Sequence, residues 1–296
     1  MTMNFKKLNL GYVFAFLAYF CWGFFPIYWK FLKHVPLFQI LAHRVLWAFV
    51  FYTIIICITE KKFNIYKPPT KKIFLGLLLA SVMLMLNWLI YIYAVNSNQV
   101  VESSLGYFIN PIVNILFGVF LLKEKLAKYQ IMASVCAALG VCIIATDHWH
   151  IPWIALILAV TFSIYGLMKK INPISALKSN QFESFIFVIP ALGILFFDSY
   201  TWVQSEHLIS TSALLIGAGI VTGLPLIFFS EAAKRIPYYM MGFFQFLAPS
   251  LQFLSGVFIF KEPLSQTKIL GFSLIWFAAL ILAVFGYLNS KRKKLV

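Results

Sequence analysis

The chain has 296 residues, of which 62% are hydrophobic and only 11% are charged, and its mean hydropathy is +0.89. A soluble domain of this composition would expose most of its apolar surface to water, so the composition excludes soluble classes and predicts a protein that faces lipid. The net charge of +15 does not indicate a nucleic-acid partner, because the basic residues lie in short segments at the ends of apolar stretches.

Ten apolar stretches follow one another along the chain, each about long enough to cross a hydrocarbon layer of ~30 Å as a helix. Helices are favoured over a β-barrel because the stretches are continuous rather than alternating. The predicted fold class is therefore an all-α integral membrane protein with ten transmembrane helices. The predicted spans are residues 10–31, 38–58, 73–94, 100–121, 129–146, 152–168, 183–198, 212–230, 238–260 and 267–288.

The basic residues alternate between the two sides of these stretches. If the N-terminus is cytoplasmic, the outer segments hold only Lys30, Lys33, Lys261 and Lys268. Cytoplasmic loops carry an excess of Lys and Arg, so the pattern predicts a multi-pass membrane protein with both termini in the cytoplasm. It leaves Arg44 as the only basic residue within a span.

An internal repeat relates the two halves of the chain. The segment Pro111–Leu126, PIVNILFGVFLLKEKL, aligns without a gap with Pro249–Leu264, PSLQFLSGVFIFKEPL. The match equates the fourth span of one five-helix half with the fourth span of another, and because five is odd, the halves enter the membrane from opposite sides. We therefore predict residues 1–146 and 147–296 as two inverted repeats, a plan in which substrate binds between the halves near the midplane.

Two pairs of residues in this repeat have candidate roles. Pro111 and Pro249 lie within spans, where proline removes a backbone hydrogen bond, so we predict them as hinges. Glu124 and Glu262 end their spans on opposite sides of the membrane. Their simplest interpretation is a solvated turn or an ion pair that stops the helix.

Three ionisable residues are the sharpest candidates for function. Ionisable groups within a bilayer normally face a cavity or a partner, because inserting them costs ~2.5–3.5 kcal/mol. Arg44 is a candidate contact for an anionic substrate group, although it also lies near enough to the outer end of its span to reach lipid head groups. His43 and Glu183 are candidate proton carriers. Glu183 is predicted to open the seventh span, where the helix dipole explains a carboxylate equally well.

Uncharged polar side chains form stripes along the third and fourth spans. Asn87 and Tyr91 are spaced i, i+4, and Tyr107 and Asn110 are spaced i, i+3, so each pair lies on one helix face. Such stripes either join helices by hydrogen bonds or line a wet path, and the aromatic neighbours favour the path. The predicted substrate-binding residues are His43, Arg44, Asn87, Trp88, Tyr91, Tyr107, Asn110 and Gln245.

Motifs for catalysis or metal binding are lacking in the sequence. It contains no GxSxG or HExxH motif, and its four cysteines lie singly inside apolar runs. We therefore predict no enzyme activity, no metal and no cofactor. A membrane-embedded enzyme acting on a lipid or small molecule is the main alternative, and a channel and a scaffold are the others.

Several strings carry a family resemblance. They are Ala18–Lys30 (AYFCWGFFPIYWK), His43-Arg44 with Trp47, Leu86–Asn96 (LNWLIYIYAVN), Ser103–Pro111 (SSLGYFINP), Tyr165-Gly166-Leu167, and Gly242-Phe243 with Gln245 and Pro249. With these strings the chain resembles the EamA group of the drug/metabolite transporter superfamily, and within it the RarD proteins. The resemblance implies a bacterial inner-membrane carrier that moves small metabolites or drugs outward. We therefore predict a secondary transporter working by alternating access, with a small-molecule substrate, the lipid bilayer and protons as partners.

Overall fold

The computed structural model describes residues 5–32, 34–61, 63–96, 100–146, 153–197, 208–259 and 266–292. Their regular structure is entirely helical. The helices are α1 (Phe5–Gly23), α2 (Phe25–Lys30), α3 (Leu37–Glu60), α4 (Lys71–Asn96), α5 (Val100–Leu116) with a π-helical continuation at Phe117–Leu121, α6 (Lys128–Ala145), α7 (Trp153–Ile171), α8 (Ala176–Ile186), α9 (Val188–Phe197), α10 (Leu208–Arg235), α11 (Tyr238–Gln245), α12 (Leu247–Phe258) and α13 (Gln266–Arg292).

Three of the predicted spans are each built from two helices that meet at a break. The pairs are α1 with α2, α8 with α9, and α11 with α12. A proline follows each break closely, and proline cannot donate the backbone hydrogen bond that a continuous helix needs at that position. The breaks are at Phe24, Phe187 and Phe246, and the prolines that follow are Pro26, Pro190 and Pro249.

By length and apolar composition, six helices in the described residues can cross a bilayer, or seven if α8 and α9, which meet at 43°, form one bent span. Shorter apolar helices cover Gly106–Leu121 and Ile269–Phe285. The protein is thus an all-α membrane protein. The number of ten transmembrane helices stays a prediction.

Glycines allow two pairs of helices to approach each other closely. In α6 and α13, a Cβ at Gly140 would lie 2.6 Å from the carbonyl oxygen of Gly271, and in α5 and α11, a Cβ at Gly242 would lie 2.5 Å from that of Pro111. Small residues allow such backbone contact between membrane helices. Because Gly118 also lies against Tyr239, α5 and α11 run antiparallel.

The start of α8 differs from the prediction. The seventh span was predicted to begin at Glu183, but α8 begins at Ala176 and places Glu183 in its third turn. The preceding Ser179, Asn180 and Gln181 are polar but buried, because they pack against other helices instead of facing water. Hydropathy alone assigns such a polar turn to a loop. The helix-dipole explanation for Glu183 is therefore wrong.

Candidate functional site

A cavity of about 100 Å³ lies among the helices α1, α2, α3, α4, α5, α7, α10, α11 and α12. Of the residues predicted to bind substrate or to act as hinges, those in its wall are Arg44, Asn87, Trp88, Tyr91, Tyr107, Gln245 and Pro249. The wall also contains residues that were not predicted, and these are mainly aromatic or apolar: Tyr19, Trp22, Phe25, Pro26, Trp29, Phe162, Thr222, Leu226, Ala248 and Gln252.

The Arg44 side chain is the charged group of this cavity. It is 8% exposed, and its Nε donates a hydrogen bond of 3.1 Å to Thr222 Oγ1 in α10. Its guanidinium carbon lies 4.3 Å from the ring centroid of Trp88 and 4.8 Å from that of Trp29, within the range of cation–π attraction. Arg44 therefore points into the protein and does not extend to the head groups.

His43 lies on another face of α3. Its Nδ1 accepts a hydrogen bond of 3.2 Å from Trp47 Nε1, one turn further along the same helix. His43 is buried but is not in the cavity wall. Adjacent helical residues point about 100° apart, so only one of the His43 and Arg44 pair can face the cavity.

The two asparagines of the polar stripes join helices. Asn87 Nδ2 donates to the Leu158 carbonyl at 2.9 Å and to Thr161 Oγ1 at 3.0 Å, and Asn110 Nδ2 donates to Ser163 Oγ at 2.9 Å. All three acceptors belong to α7, so these amides attach α4 and α5 to α7. Asn87 still reaches the cavity wall, whereas Asn110 does not.

A polar chain continues from the cavity towards Tyr238. Gln245 Oε1, at the cavity wall, accepts from Asn114 Nδ2 at 2.5 Å. The Tyr238 hydroxyl lies 2.8 Å from Asn114 Oδ1 and 2.6 Å from the Ser163 carbonyl. This series of hydrogen bonds links α5, α7 and α11 next to the cavity.

Glu124 holds the start of α11. Its Oε1 accepts from the backbone N–H of Tyr238 at 2.7 Å, and its Oε2 accepts from that of Tyr239 at 2.9 Å. The first N–H groups of a helix have no partner within the helix, and a carboxylate satisfies them well. The prediction of a solvated turn or an ion pair was therefore wrong for Glu124, and its counterpart Glu262 lies outside the described residues.

Lys169 and Glu183 form a buried ion pair, with 2.5 Å between Nζ and Oε1. Lys169 Nζ also donates to Ser179 Oγ at 3.0 Å and to Asn180 Oδ1, which in turn accepts from Ser230 Oγ at 3.1 Å. The prediction that Arg44 is the only basic residue within a span was wrong, because Lys169 belongs to α7 and is fully buried. Lys169 looked like a loop residue because a second lysine follows it.

A second, smaller cavity lies beside this ion pair. Glu183 and Asn180 are part of its wall. It shares Trp88 and Leu226 with the central cavity. Glu183 is therefore separated from the Arg44 cavity by these two side chains and does not face Arg44 directly.

Sequence comparisons identify what kind of protein carries these features. Residues 9–146 match the EamA-like transporter family. The chain is 39% identical to the uncharacterized transporter YojE of Bacillus subtilis (strain 168) over 295 residues, which is 98% of either chain. It is 37% identical to the protein RarD of Escherichia coli (strain K12), over 98% of this chain and 99% of the other.

The chain belongs to the RarD group of EamA-like transporters. It is therefore a multi-pass membrane transporter of the drug/metabolite type. A solved crystal structure superimposes with a TM-score of 0.74 at 17% identity, covering 94% of this chain and 98% of the other. At that identity the likeness concerns the fold alone.

Aromatic side chains pack between the Arg44 cavity and Tyr238. Tyr165 and Phe229 stack with their ring centroids 5.7 Å apart, and Phe162 lies 5.4 Å from Phe229. Trp22 and Phe162, both in the cavity wall, are 5.5 Å apart. These rings belong to, or pack against, the core cluster that contains Tyr238, whose backbone N–H donates to Glu124.

No local sequence pattern distinguishes the cavity residues that were not predicted. Trp22, Trp29 and Phe162 occur in long aromatic and aliphatic runs, in which lipid-facing and cavity-facing side chains have the same chemical character. Thr222 is a single hydroxyl in an apolar span. Its pairing with Arg44 joins residues 178 positions apart, which no local pattern indicates.

Proposed function

We propose that the protein is a secondary transporter that moves a small metabolite or drug outward across the bacterial inner membrane by alternating access. In this proposal residues 1–146 and 147–296 are inverted five-helix halves, and the Arg44 cavity is the substrate site. Both termini are cytoplasmic. The observation that carries the proposal is that helices from both halves build one cavity around an intramembrane arginine.

The pairing of helices supports inverted halves. If α1 corresponds to α7 and α4 to α10, then the contact of α1 with α10 corresponds to that of α7 with α4, and both are present. If α5 also corresponds to α12, the contact of α5 with α7 corresponds to that of α12 with α1, and both are again present. A two-fold relation between the halves explains these pairs.

The broken helices support movement. Discontinuous helices at the substrate site are typical of carriers built from inverted repeats. The breaks at Phe24 and Phe246 lie next to cavity residues, and Pro249 is in the wall. Pro111, the other predicted hinge, lies inside α5 without interrupting it, so we expect the larger bending at Pro249.

Protons are the proposed coupling ions. Of the two candidates, Glu183 and His43, we favour Glu183, because it lines a small cavity that shares Trp88 and Leu226 with the substrate site, whereas His43 lines neither cavity. Substrate flux in proteoliposomes should depend on a proton gradient in the original protein and in His43→Gln, but not in Glu183→Gln. If flux through the original protein does not depend on the proton gradient, the proposal of proton coupling is wrong.

Cysteine labelling tests alternating access without a known substrate. In a variant with its four cysteines replaced by serine, Ala248→Cys in the cavity wall should react with membrane-impermeant maleimide from either side of inverted and right-side-out vesicles. Ala137→Cys, fully buried in α6, should react from neither. Labelling of Ala248→Cys from one side only would contradict the proposal.

The substrate can be sought in cells. Untargeted metabolite profiles of cells overproducing the protein should differ from those of cells producing Arg44→Ala in the compound that is moved. A compound that accumulates outside only with the original protein also establishes the outward direction. A change in product chemistry, with no change in distribution across the membrane, would instead indicate the membrane-enzyme alternative.

A further inference from the structure

The central cavity has an unbalanced charge. Arg44 is in its wall, and no Asp or Glu is among the lining residues in the described part of the chain. None of the ion pairs between described residues involves Arg44. Arginine stays protonated in proteins, so its charge needs an anion from elsewhere.

The guanidinium also has unused hydrogen-bond donors. It carries five N–H groups, and its one hydrogen bond among the described residues runs from Nε to Thr222 Oγ1. Trp29 and Trp88 provide ring faces, which attract the cation but accept no conventional hydrogen bond. The paired Nη groups are those that bind a carboxylate in a two-pronged arrangement.

The rest of the wall fits a flat apolar group. Tyr91 and Tyr107 lie with their ring centroids 6.0 Å apart, and Trp22 and Phe162 face the same cavity. The cavity volume of about 100 Å³ is comparable with the ~150 Å³ of an engineered apolar cavity that binds benzene. The cavity can therefore accommodate a molecule of about one aromatic ring.

An ammonium group would find no carboxylate to pair with in the described wall. The described wall has no carboxylate, and the indoles of Trp29 and Trp88 already lie against Arg44. A zwitterion would satisfy Arg44 at one end and place, at the other end, a second cation that no carboxylate of the described wall neutralises.

We propose that the cavity selects an organic monoanion, in which one carboxylate-like group is attached to a flat apolar body of about one ring and no ammonium group is present. The anionic group pairs with Arg44, and the ring packs against the aromatic wall. This inference rests on the proposed function in taking the cavity as the substrate site.

Four matched probes test the charge preference. Benzoate, benzamide, benzylamine and phenylalanine share one ring and differ in charge. Each is titrated into the detergent-purified protein, with tryptophan fluorescence as the readout, because Trp22, Trp29 and Trp88 are in the cavity wall. Benzoate should quench saturably and bind at least roughly tenfold more tightly than the other three, as expected for a hydrogen-bonded charge pair.

Substitutions assign the preference to Arg44. Arg44→Gln should bring benzoate to the affinity of benzamide, whereas Arg44→Lys should retain part of the difference. Arg235→Gln removes an arginine that pairs with Glu231 outside the cavity and should change nothing. Glu102→Gln removes the carboxylate nearest in sequence to Tyr107 and should also leave the preference unchanged.

The inference would be overturned by equal binding of benzoate and benzamide, by binding of phenylalanine or benzylamine that is tighter than that of benzoate, or by the absence of saturable quenching with every probe. A gain in benzoate affinity in Glu102→Gln would do the same, since it would show that Arg44 already has a counter-ion. Binding is measured without flux, so failure here leaves the labelling of Ala248→Cys as an independent test of transport.

Discussion

Lys169 of α7 and Glu183 of α8 pair at 2.5 Å with side-chain exposures of 1% and 4%. Breaking a buried pair leaves one uncompensated charge, which costs about 3–5 kcal/mol, whereas replacing both partners by apolar residues is often neutral. We expect Glu183→Met and Lys169→Met each to lower the free energy of unfolding by about that amount. The double variant Lys169→Met/Glu183→Met should recover most of the loss.

Denaturant unfolding in detergent measures this cycle. The matched control is Glu60→Gln, which breaks a half-exposed pair with Lys178 and should cost about 1 kcal/mol or less. If the double variant is as unstable as the sum of the single variants, the two residues are not coupled.

Glu124 is expected to stabilise the packing of α11 in the core that contains Tyr238. Glu124→Ala removes the acceptor of two backbone N–H groups of α11 and should cost about 1–2 kcal/mol, which corresponds to a roughly 5- to 30-fold larger open fraction. Ala233→Cys, buried in the same core cluster as Tyr238, reports opening by its maleimide labelling rate in the cysteine-free variant. Glu231→Gln, in a surface ion pair with Arg235, is the control and should leave the rate unchanged. An unchanged rate in Glu124→Ala would show that Glu124 does not control access.

Gln252 compensates for the proline that interrupts the first span. Pro26 has no N–H to offer the carbonyl of Trp22 four residues earlier, and Gln252 Nε2 donates to that carbonyl at 3.0 Å instead. Gln252→Leu should therefore cost about 1 kcal/mol. In a Pro26→Ala background the same substitution should cost less, because the alanine N–H can take over the bond. Equal costs in both backgrounds, measured by thermal unfolding, would contradict this relationship.

The contact of α5 with α11 depends on Gly242. Gly242→Ala places a methyl group 2.5 Å from the Pro111 carbonyl oxygen and should destabilise by about 1–3 kcal/mol. Gly193→Ala in α9 is the matched control, because no atom lies within 4 Å of the added methyl group. Since alanine favours helix more than glycine, the control should be neutral or more stable by up to about 1 kcal/mol. An unchanged melting temperature in Gly242→Ala would show that α5 and α11 can move apart without a loss of stability.

The predictable part of the fold follows from hydropathy. The predicted spans 38–58 and 129–146 correspond closely to α3 (Leu37–Glu60) and α6 (Lys128–Ala145), because a helix that faces lipid must be apolar along its length. The start of α8 was missed because its polar turn is buried against protein. A hydropathy profile cannot distinguish that environment from water.

The sequence by itself determined the membrane class, the positions of most apolar helices and the family, and it placed Arg44 within a span, since each of these depends on composition or local pattern. Only the tertiary structure decided that Asn110 joins helices, that Glu124 caps α11 and that Lys169 pairs with Glu183. The contact of Asn110 with Ser163 joins residues 53 positions apart, and that of Glu124 with Tyr238 joins residues 114 positions apart. Hydrogen bonds and ion pairs depend on distances of a few ångströms between atoms, and folding sets those distances between segments whose local sequences carry no information about each other.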